Sequence, residues 1–354
     1  MTPDAIRSVF ADLEKAVHAS RYDDALAQIE SLNAAAGDVI CATPDLDSWL
    51  VSAWRLALIE SGRYGEAAEL FDSRVAEERA LIAASTSSLV PILGQAKRVR
   101  YADMSFSLFL FRHDILSNRI LAGGGWEQGI SEYLAQVVRP GDLVIDIGAN
   151  IGWHTIAAAV RVGPTGRVIA FEPEPVAFRL LVDSVRENGL TWVEASPMAI
   201  GAAEEVVSLH RPYVAGNAQH SIVDQGLSGD TVTIAVAPLT AFSDQIDRRI
   251  RLLKMDIEGA EVQALIGMEP ILSGPYAPEV MIIEFSPRLL ALAGAGPEWF
   301  DALTTRFGYG YAVLSADTGT QVHLDPGQSL GTLYHRVLAG QTGSDTQFDV
   351  VFMR

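Results

Sequence analysis

The chain has 354 residues, and its 26 lysines and arginines stand against 44 aspartates and glutamates, which gives a formal net charge of −18. An acidic balance of this size argues against a nucleic-acid groove, which needs clustered Lys and Arg, and against a polybasic membrane anchor. Because 49% of the residues are hydrophobic and 20% are charged, the composition is globular and excludes disorder across the whole chain. The length favours about two domains.

The single cysteine, Cys41, cannot form an internal disulfide or a Cys-rich zinc site, so the chain fits a reducing compartment. Residues 1–18 are amphipathic and acidic, which does not fit a secretory signal peptide. No apolar run approaches the roughly 20 residues that span a bilayer. These features predict a cytoplasmic protein without a nucleic-acid or membrane partner.

The first hundred residues are predicted to be helical, because apolar side chains recur there at helical spacing. A short motif occurs twice, around Tyr22 and around Tyr64. The second copy, residues 62–67, resembles the Gly-x-Tyr-x-x-Ala turn of the tetratricopeptide repeat, whereas the first copy lacks the glycine. Two repeats bury little core. We therefore predict that residues 1–97 form a small all-α helical-repeat domain, which either docks a protein partner or a second copy of the chain or only stabilises the fold.

From residue 98 the pattern changes to short apolar runs that alternate with amphipathic stretches. The runs that predict buried strands are residues 143–145, 168–171, 252–255 and 280–283, with helical patterns at 176–188 and 260–268. This alternation predicts βαβ units and a mostly parallel sheet. Residues 309–314 and 321–324 predict an antiparallel hairpin at the sheet edge. Residues 98–354 are therefore assigned to a second, α/β domain.

A glycine-containing turn, Asp146-Ile147-Gly148-Ala149-Asn150-Ile151-Gly152, follows the first of these strands. Gly148 and Gly152 would let the backbone approach a ligand, and a helix predicted to start near His154 would offer its N–H groups. A dinucleotide-binding loop needs Gly-x-Gly-x-x-Gly, but Asn150 and Trp153 occupy the second and third glycine positions. The motif is instead similar to the first motif of S-adenosylmethionine-dependent methyltransferases with a Rossmann-like sheet.

The next predicted strand also ends in an acid, Glu172, which is followed by Pro173. A carboxylate at the carboxyl end of a strand can accept hydrogen bonds from both ribose hydroxyls of a nucleoside cofactor. In isolation such an acid would be interpreted as a solvated residue or a helix cap. Since it lies 26 residues after Asp146 and follows the glycine turn, we predict that Glu172 binds the cofactor.

Five motifs in order make the chain resemble the FkbM family of methyltransferases from about residue 126 to residue 314. They are residues 140–152 (PGDLVIDIGANIG), 171–173 (FEP), 199–201 (AIG), 253–261 (LKMDIEGAE) and 283–284 (IE). The resemblance implies a Rossmann-like methyltransferase fold for residues 98–354, S-adenosyl-L-methionine as methyl donor, and usually O-methylation of a hydroxyl group. The residues that we predict at the cofactor are Asp146, Gly148, Asn150, Gly152, Glu172 and Pro173.

Two further residues are predicted at the cofactor pocket. Glu127 follows Trp126 at a place where the family often has an aromatic residue and a glutamate. His154, at the start of the first helix, could line the pocket or serve as a local cap. The Trp126 indole could shield a sulfonium by a cation–π interaction, although core packing explains a tryptophan equally well.

Three carboxylates, Asp256, Glu258 and Glu261, lie near the carboxyl edge of the third strand. Asp256 and Glu258 are predicted to face the reaction site, and Glu261 could serve the N-terminus of the next helix. One carboxylate could take the proton from an attacking hydroxyl. Alternatively, Asp256 with help from Glu258 or Glu284 could hold Mg²⁺ or another hard cation. Lys254 could pair with one of these acids, and the cluster could also be purely structural.

His220, in the polar turn formed by residues 217–221, is the other candidate general base because histidine titrates near neutrality. A single histidine in a loop is, however, more often a bystander than a catalyst.

These residues predict an S-adenosylmethionine-dependent O-methyltransferase that acts on a hydroxyl of a sugar, glycoconjugate or natural product. One alternative is a peptide or amine N-methyltransferase that recruits its substrate through the helical repeats. Another is a non-catalytic interaction protein with a degenerate methyltransferase fold. The intact residues Asp146, Gly148, Gly152, Glu172 and Asp256 speak against such degeneration.

Overall fold

A computed structural model describes most of the chain from residue 96 onward. The described residues are 27–29, 31–32, 35, 96–101, 103–110, 115–121, 125–212, 220–226, 229–314, 321–322, 329–339 and 347–354. The tetratricopeptide-like motifs at Tyr22 and Tyr64 lie outside the described residues, so the helical-repeat domain and its boundary at residue 97 stay predictions. The first strand described after that boundary begins at Lys97.

Thirteen strands and nine helices are defined between residues 96 and 354 within the described part. The first half comprises β1 (Lys97–Tyr101), β2 (Met104–Leu108), α1 (Ile115–Leu121), α2 (Gln128–Val137), β3 (Leu143–Ile147), α3 (Trp153–Val162), β4 (Arg167–Phe171), α4 (Pro175–Glu187), β5 (Val193–Ser196) and β6 (Ala199–Ile200). The second half comprises β7 (Glu205–Pro212), β8 (Gly229–Ala237), β9 (Ile250–Met255), α5 (Glu261–Gly267), α6 (Glu269–Leu272), β10 (Val280–Phe285), α7 (Pro287–Leu292), α8 (Glu298–Thr305), β11 (Gly310–Leu314), β12 (Gln321–Val322), α9 (Leu330–Leu338) and β13 (Phe348–Met353). The helices predicted at 176–188 and 260–268 correspond to α4 and α5.

The main sheet has eight strands in the order β12–β11–β13–β10–β9–β3–β4–β5. The strands from β5 to β10 in this order are mutually parallel, and β13 is antiparallel to both β10 and β11. The predicted hairpin is confirmed as β11 and β12 at one edge of the sheet. The insertion of β13 between β10 and β11 was not predicted. Because the parallel strands share one direction, their carboxyl ends lie at one edge of the sheet, and loops that follow different strands meet there.

Helices cover both faces of the main sheet, which explains why its strands are continuous apolar runs rather than alternating ones. All five residues of β3 are buried. One core includes Trp153 of α3 and Phe106 of β2, and the other includes Phe300 of α8 and Phe352 of β13. Across the residues that the structure describes, none of the helices has the length and apolar character to cross a membrane.

The β1–β2 hairpin packs on the same face of the sheet as α3 and α4. The ring of Tyr101 lies 5.1 Å from that of Trp153, measured between centroids, and the ring of Phe106 lies 6.1 Å from it. The backbone N–H of Phe109 donates to Ser184 Oγ on α4 at 2.9 Å. The hairpin therefore places Tyr101 against the beginning of α3.

Candidate active site

A pocket of about 240 Å³ lies at the edge of the sheet where β3, β4 and β9 end. This volume is close to the lower end of the roughly 300–1,000 Å³ found for small-molecule sites. The predicted site residues that line it are Glu127, Gly148, Asn150, His154, Glu172, Pro173, His220, Asp256 and Glu258. Of the predicted site residues, only Asp146 and Gly152 are not among the residues that line the pocket.

Gly148 is required by the protein itself, because the loop after β9 passes directly over it. Its φ is 80°, and a Cβ built there would lie 1.9 Å from the carbonyl oxygen of Asp256. The N–H groups of Gly148 and Ala149 both donate to the Phe171 carbonyl at 3.0 Å. The glycine therefore lets the ends of β3, β4 and β9 approach one another, which is a different reason from the ligand contact predicted.

Gly152 has a packing role in the same turn. Its φ is 94°, and a Cβ would lie 2.7 Å from Leu181 Cδ1 of α4. The glycine thus allows α3 to start directly against α4. The expectation that Gly152 also lets the backbone approach a ligand stays a prediction.

Glu172 joins the end of β4 to the glycine turn. Its Oε2 accepts from the backbone N–H of Asn150 at 2.7 Å, and its Oε1 accepts from that of Glu174 at 2.8 Å. Each carboxylate oxygen keeps acceptor capacity for a ligand hydroxyl. Because the residue is only 6% exposed, burial raises the pKa of the Glu172 carboxyl to about 8.

Asp146 lies inside β3, opposite Lys254 of β9, and is not among the residues that line the pocket. Its Oδ2 accepts from Thr155 Oγ1 at 2.5 Å, which ties β3 to α3. Its Oδ1 is buried and has no hydrogen-bond partner among the described residues. The side chain is therefore a structural neighbour of the turn, and a direct cofactor contact stays a prediction.

Glu127, His154 and Tyr101 form a chain of hydrogen bonds at the side of the pocket. His154 Nε2 lies 2.7 Å from Glu127 Oε2, and His154 Nδ1 lies 2.7 Å from the Tyr101 hydroxyl. Both ring nitrogens of His154 are therefore engaged by protein groups, although the residue lines the pocket, and its contact with the cofactor stays a prediction. Tyr101 was missed because 53 residues separate it from His154 and no local pattern marks it.

Three carboxylates converge at the end of β9 and β10. Oxygen atoms of Asp256, Glu258 and Glu284 lie within 4.8 Å of one another. Burial raises the pKa of all three, and for Asp256 the charge of Lys254 opposes this rise. Glu284 Oε2 is buried and has no hydrogen-bond partner within the described part of the chain.

Lys254 supplies the positive charge of this cluster, as predicted. Its Nζ lies 3.2 Å from Asp256 Oδ2, and the residue is only 5% exposed. Burial acts to lower the pKa of the Lys254 ammonium, but Asp256, Asp146 and Glu127 raise it above its ordinary value. The lysine therefore stays charged and favours the ionised form of Asp256.

Asp349 is an acid near the pocket that the sequence interpretation missed. It lies on β13 directly opposite Glu284 of β10. Burial, together with the charges of Glu127 and Asp256, raises its pKa to about 7. The sequence could have indicated Asp349, because it is an acid inside the otherwise apolar strand Phe348–Met353. That it lies opposite Glu284 could not be predicted without knowledge of the strand order.

Glu261 and Ser221 support the loop that carries Asp256 and Glu258. The carboxylate of Glu261, in the first turn of α5, accepts from the backbone N–H groups of Ile257 at 3.1 Å and of Gly259 at 3.0 Å, both in the loop that precedes the helix. The hydroxyl of Ser221 donates to the Glu258 carbonyl at 2.6 Å. Its neighbour His220 reaches the pocket lining, whereas the rest of the polar turn, residues 217–219, lies outside the described residues.

Backbone strain is concentrated at this pocket. Among the described residues, the non-glycine residues with a left-handed backbone are Glu127, Asn150 and Glu258, with φ values of 44°, 50° and 54°. All three line the pocket. Since such conformations cost of order 1–3 kcal/mol each and cluster at functional sites, the pocket is the part of the molecule that we interpret as the active site.

The strand order, with β13 inserted antiparallel between β10 and β11 and a pocket at the ends of β3, β4 and β9, defines the Rossmann-like methyltransferase fold. Residues 146–311 match the family model described as the methyltransferase FkbM domain. This match supports the resemblance predicted from the motifs, and it covers the turn, Glu172 and the acidic cluster.

Two of the curated relatives are methyltransferases of low identity. The chain is 31% identical over 163 residues to the 31-O-demethyl-FK506 methyltransferase FkbM of Streptomyces tacrolimicus, covering 37% of this chain and 61% of that protein. It is 29% identical over 145 residues to the hexuronic acid methyltransferase AglP of Haloferax volcanii, covering 40% of this chain and 56% of that protein. The alignments thus span about three fifths of the length of these relatives.

A solved structure with a similar fold is Aeropyrum pernix fibrillarin with natively bound S-adenosyl-L-methionine. The sequence identity is 13%, the alignment covers 65% of this chain and 81% of the fibrillarin chain, and the TM-score is 0.32. A likeness of this degree carries no argument about the site.

Proposed function

We propose that the chain is an S-adenosylmethionine-dependent O-methyltransferase that acts on a hydroxyl group of a sugar, glycoconjugate or natural product. The observation that carries the proposal is that one pocket joins the glycine turn after β3, Glu172 after β4 and Asp256 after β9. O-methylation is favoured by the names of two relatives, one a hexuronic acid methyltransferase and the other a 31-O-demethyl-FK506 methyltransferase.

The groups that the pocket presents fit a nucleoside cofactor with a cationic amino-acid end. Glu172 keeps acceptor capacity for ribose hydroxyls, and its position is fixed by the Asn150 N–H. Gly148, Pro173 and Glu127 complete the set of residues that would hold the cofactor. When bound, S-adenosylmethionine supplies a methyl group that is activated by the positive charge on its sulfur.

Asp256 is the residue that we assign to proton removal from the acceptor hydroxyl. Because burial raises its pKa, the carboxylate is a better base than an exposed aspartate, while Lys254 keeps it ionised. Oxygen atoms of Glu258 and Glu284 lie within 4.8 Å of one of Asp256, so the proton that Asp256 removes enters a buried group of carboxyls. Orienting the hydroxyl and excluding water in a half-enclosed site supplies the rest of the acceleration.

Calorimetric titration of the full chain with S-adenosylmethionine and with S-adenosylhomocysteine tests the proposal. Binding of both, followed by methyl transfer to a member of a panel that contains hexuronic acids and 31-O-demethyl-FK506, would support it. Mass spectrometry then locates the added methyl group on oxygen or on nitrogen, which separates the O-methyltransferase from the peptide or amine N-methyltransferase. Absence of binding would favour the non-catalytic interaction protein.

Affinity for S-adenosylmethionine is expected to rise with pH between about 6.5 and 8.5. The Glu172 carboxyl, whose pKa is about 8 without ligand, is largely protonated below that pH. A cationic ligand whose ribose hydroxyls donate to the carboxylate favours its ionised form, so binding releases a proton. The affinity should therefore increase by up to about tenfold per pH unit below pH 8 and level off above it.

Calorimetry in two buffers of different ionisation enthalpy measures the number of protons released. The Glu172→Gln variant, which cannot ionise, should bind more weakly and with a flatter pH dependence. A dependence as steep in this variant as in the unmodified protein would show that Glu172 is not the titrating group.

The divalent cation suggested by the sequence stays a prediction, because the comparisons give no support for it. The described residues that could hold it are Asp256, Glu258 and Glu284, whose oxygen atoms are hard ligands at short mutual distances. Such a cation would lower the pKa of a bound hydroxyl. Loss of activity after exhaustive EDTA treatment with recovery on addition of Mg²⁺ would support the cation, and full activity after EDTA would exclude it.

A further inference from the structure

The geometry points to a positioning role for Tyr101 and His154. We propose that these two residues hold the carboxylate of Glu127 in place to bind the α-ammonium group at the amino-acid end of S-adenosylmethionine. The inference rests on the proposed function, because it concerns how the same pocket recognises its cofactor. It adds a residue, Tyr101, that belongs to the β1–β2 hairpin and lies outside the sequence motifs.

The hydrogen-bond chain fixes the tautomer of His154. A neutral imidazole has one N–H donor and one acceptor nitrogen, so the group bound to one nitrogen decides what the other can do. Burial raises the pKa of the Tyr101 phenol well above its usual value, so its hydroxyl keeps its proton and can donate to His154 Nδ1. Because the ionised Glu127 carboxylate can only accept, His154 Nε2 carries a proton and donates it to Glu127 Oε2 at 2.7 Å.

The packing around this chain leaves it little freedom to move. Tyr101 is only 1% exposed, and its ring meets the His154 ring edge-on at a centroid distance of 5.6 Å. On the other side, the indole N–H of Trp153 donates to the carbonyl of Trp126 at 3.0 Å. The start of α3 therefore holds Glu127 both through its side chain and through the preceding peptide. Glu127 itself is held in a left-handed backbone conformation, with a φ of 44°.

The chemistry of Glu127 identifies its ligand group. Its side chain is 25% exposed and lines the pocket, so one face of the carboxylate remains open. Although burial acts to raise its pKa, the hydrogen bond from His154, the charge that His154 carries when protonated and the charge of Lys254 lower it to about 2, so the group is ionised. A buried carboxylate needs a partner that is both cationic and a hydrogen-bond donor. Among the groups of S-adenosylmethionine only the ammonium is both, since the sulfonium lacks a proton and the hydroxyls lack a charge.

The experiment compares two ligands that differ in the amino-acid end. S-adenosylhomocysteine carries the α-ammonium group, whereas 5′-methylthioadenosine has the same nucleoside without it. Calorimetry on the full chain should show that Tyr101→Phe raises the Kd of S-adenosylhomocysteine about tenfold and Glu127→Gln raises it by at least as much. The Kd of 5′-methylthioadenosine should change by less than about twofold in both variants. The double variant should be no weaker than Glu127→Gln alone, because both changes act on one interaction.

Tyr309→Phe is the matched control, since it also removes one buried phenol hydroxyl. The hydroxyl of Tyr309 donates to the Pro278 carbonyl at a distance of 2.7 Å, and this hydrogen bond does not belong to the pocket. The variant should leave both ligands unaffected. Equal weakening of both ligands by Tyr101→Phe and Glu127→Gln, or no weakening of either, would overturn the inference, because a merely structural role cannot distinguish the ligands. If Tyr101→Phe does not fold, Glu127→Gln alone decides by the same criterion. Failure of the unmodified chain to bind either ligand would instead contradict the proposed function.

Discussion

Replacing Gly148 with alanine is expected to destabilise the protein by about 3–5 kcal/mol and to abolish cofactor binding. The new Cβ would lie 1.9 Å from the Asp256 carbonyl oxygen and 3.0 Å from its carbonyl carbon. These are backbone atoms that cannot rotate away, so the loop after β9 would have to leave the turn after β3. The φ of 80° adds strain, because residues with a Cβ rarely adopt it.

Gly189→Ala provides the matched control for this prediction. Gly189 has a similar φ of 65°, but a Cβ there would meet no atom within 4 Å. This variant should therefore lose only the roughly 1–2 kcal/mol of backbone strain and should bind the cofactor normally. Urea unfolding of both variants measures the difference. Equal stabilities would show that the approach of Asp256 to Gly148 is not a constraint on the fold.

The cofactor side of the pocket could be predicted because its signals are local in the sequence. An apolar run that ends in an acid and a glycine turn indicates a buried strand whose carboxyl end carries a ligand. This pattern placed Gly148, Asn150 and Glu172, and later Asp256, at one edge of a parallel sheet. The structure then shows that they line the same pocket. Residues at the carboxyl ends of the strands can thus be assigned to one site from the sequence, because neighbouring parallel strands run in the same direction.

The remaining features depend on contacts between distant parts of the chain. Gly148 is constrained by Asp256, and His154 is engaged by Tyr101, although each pair is separated by more than fifty residues. Asp349 meets Glu284 only because β13 inserts between β10 and β11. The sequence pattern can show that such residues are buried, but not which residue lies opposite. This is why the packing reason for Gly148 could not be predicted from the sequence.

Replacing Asp256 with asparagine is expected to lower kcat by about 10²–10⁴-fold, measured with an acceptor from the panel that the unmodified protein methylates. Asparagine has nearly the same shape, but it cannot take a proton from the acceptor hydroxyl. The Kd of S-adenosylmethionine should stay within about threefold, because the amide can still occupy the position next to Lys254 Nζ. A loss in kcat without a loss in cofactor affinity distinguishes a base from a binding residue.

Asp183→Asn is the matched control, since it also removes a carboxylate that is paired with a cation, Arg179 Nε at 2.8 Å on α4, and Asp183 does not line the pocket. Its kcat should be unchanged. The pH dependence of kcat distinguishes Asp256 from the other candidate base, His220. Burial raises the pKa of Asp256 above its ordinary value of about 3.9, so kcat should fall as the pH drops through that raised pKa.

This acid limb should persist in the His220→Gln variant and vanish in Asp256→Asn, because the titrating base is present in the first and absent in the second. If His220 were the base, the limb would instead disappear in His220→Gln and persist in Asp256→Asn. A rate in Asp256→Asn within about threefold of the unmodified enzyme would exclude Asp256 as the base. The proton would then have to pass to His220 or to the Glu258 and Glu284 carboxylates, which line the same pocket.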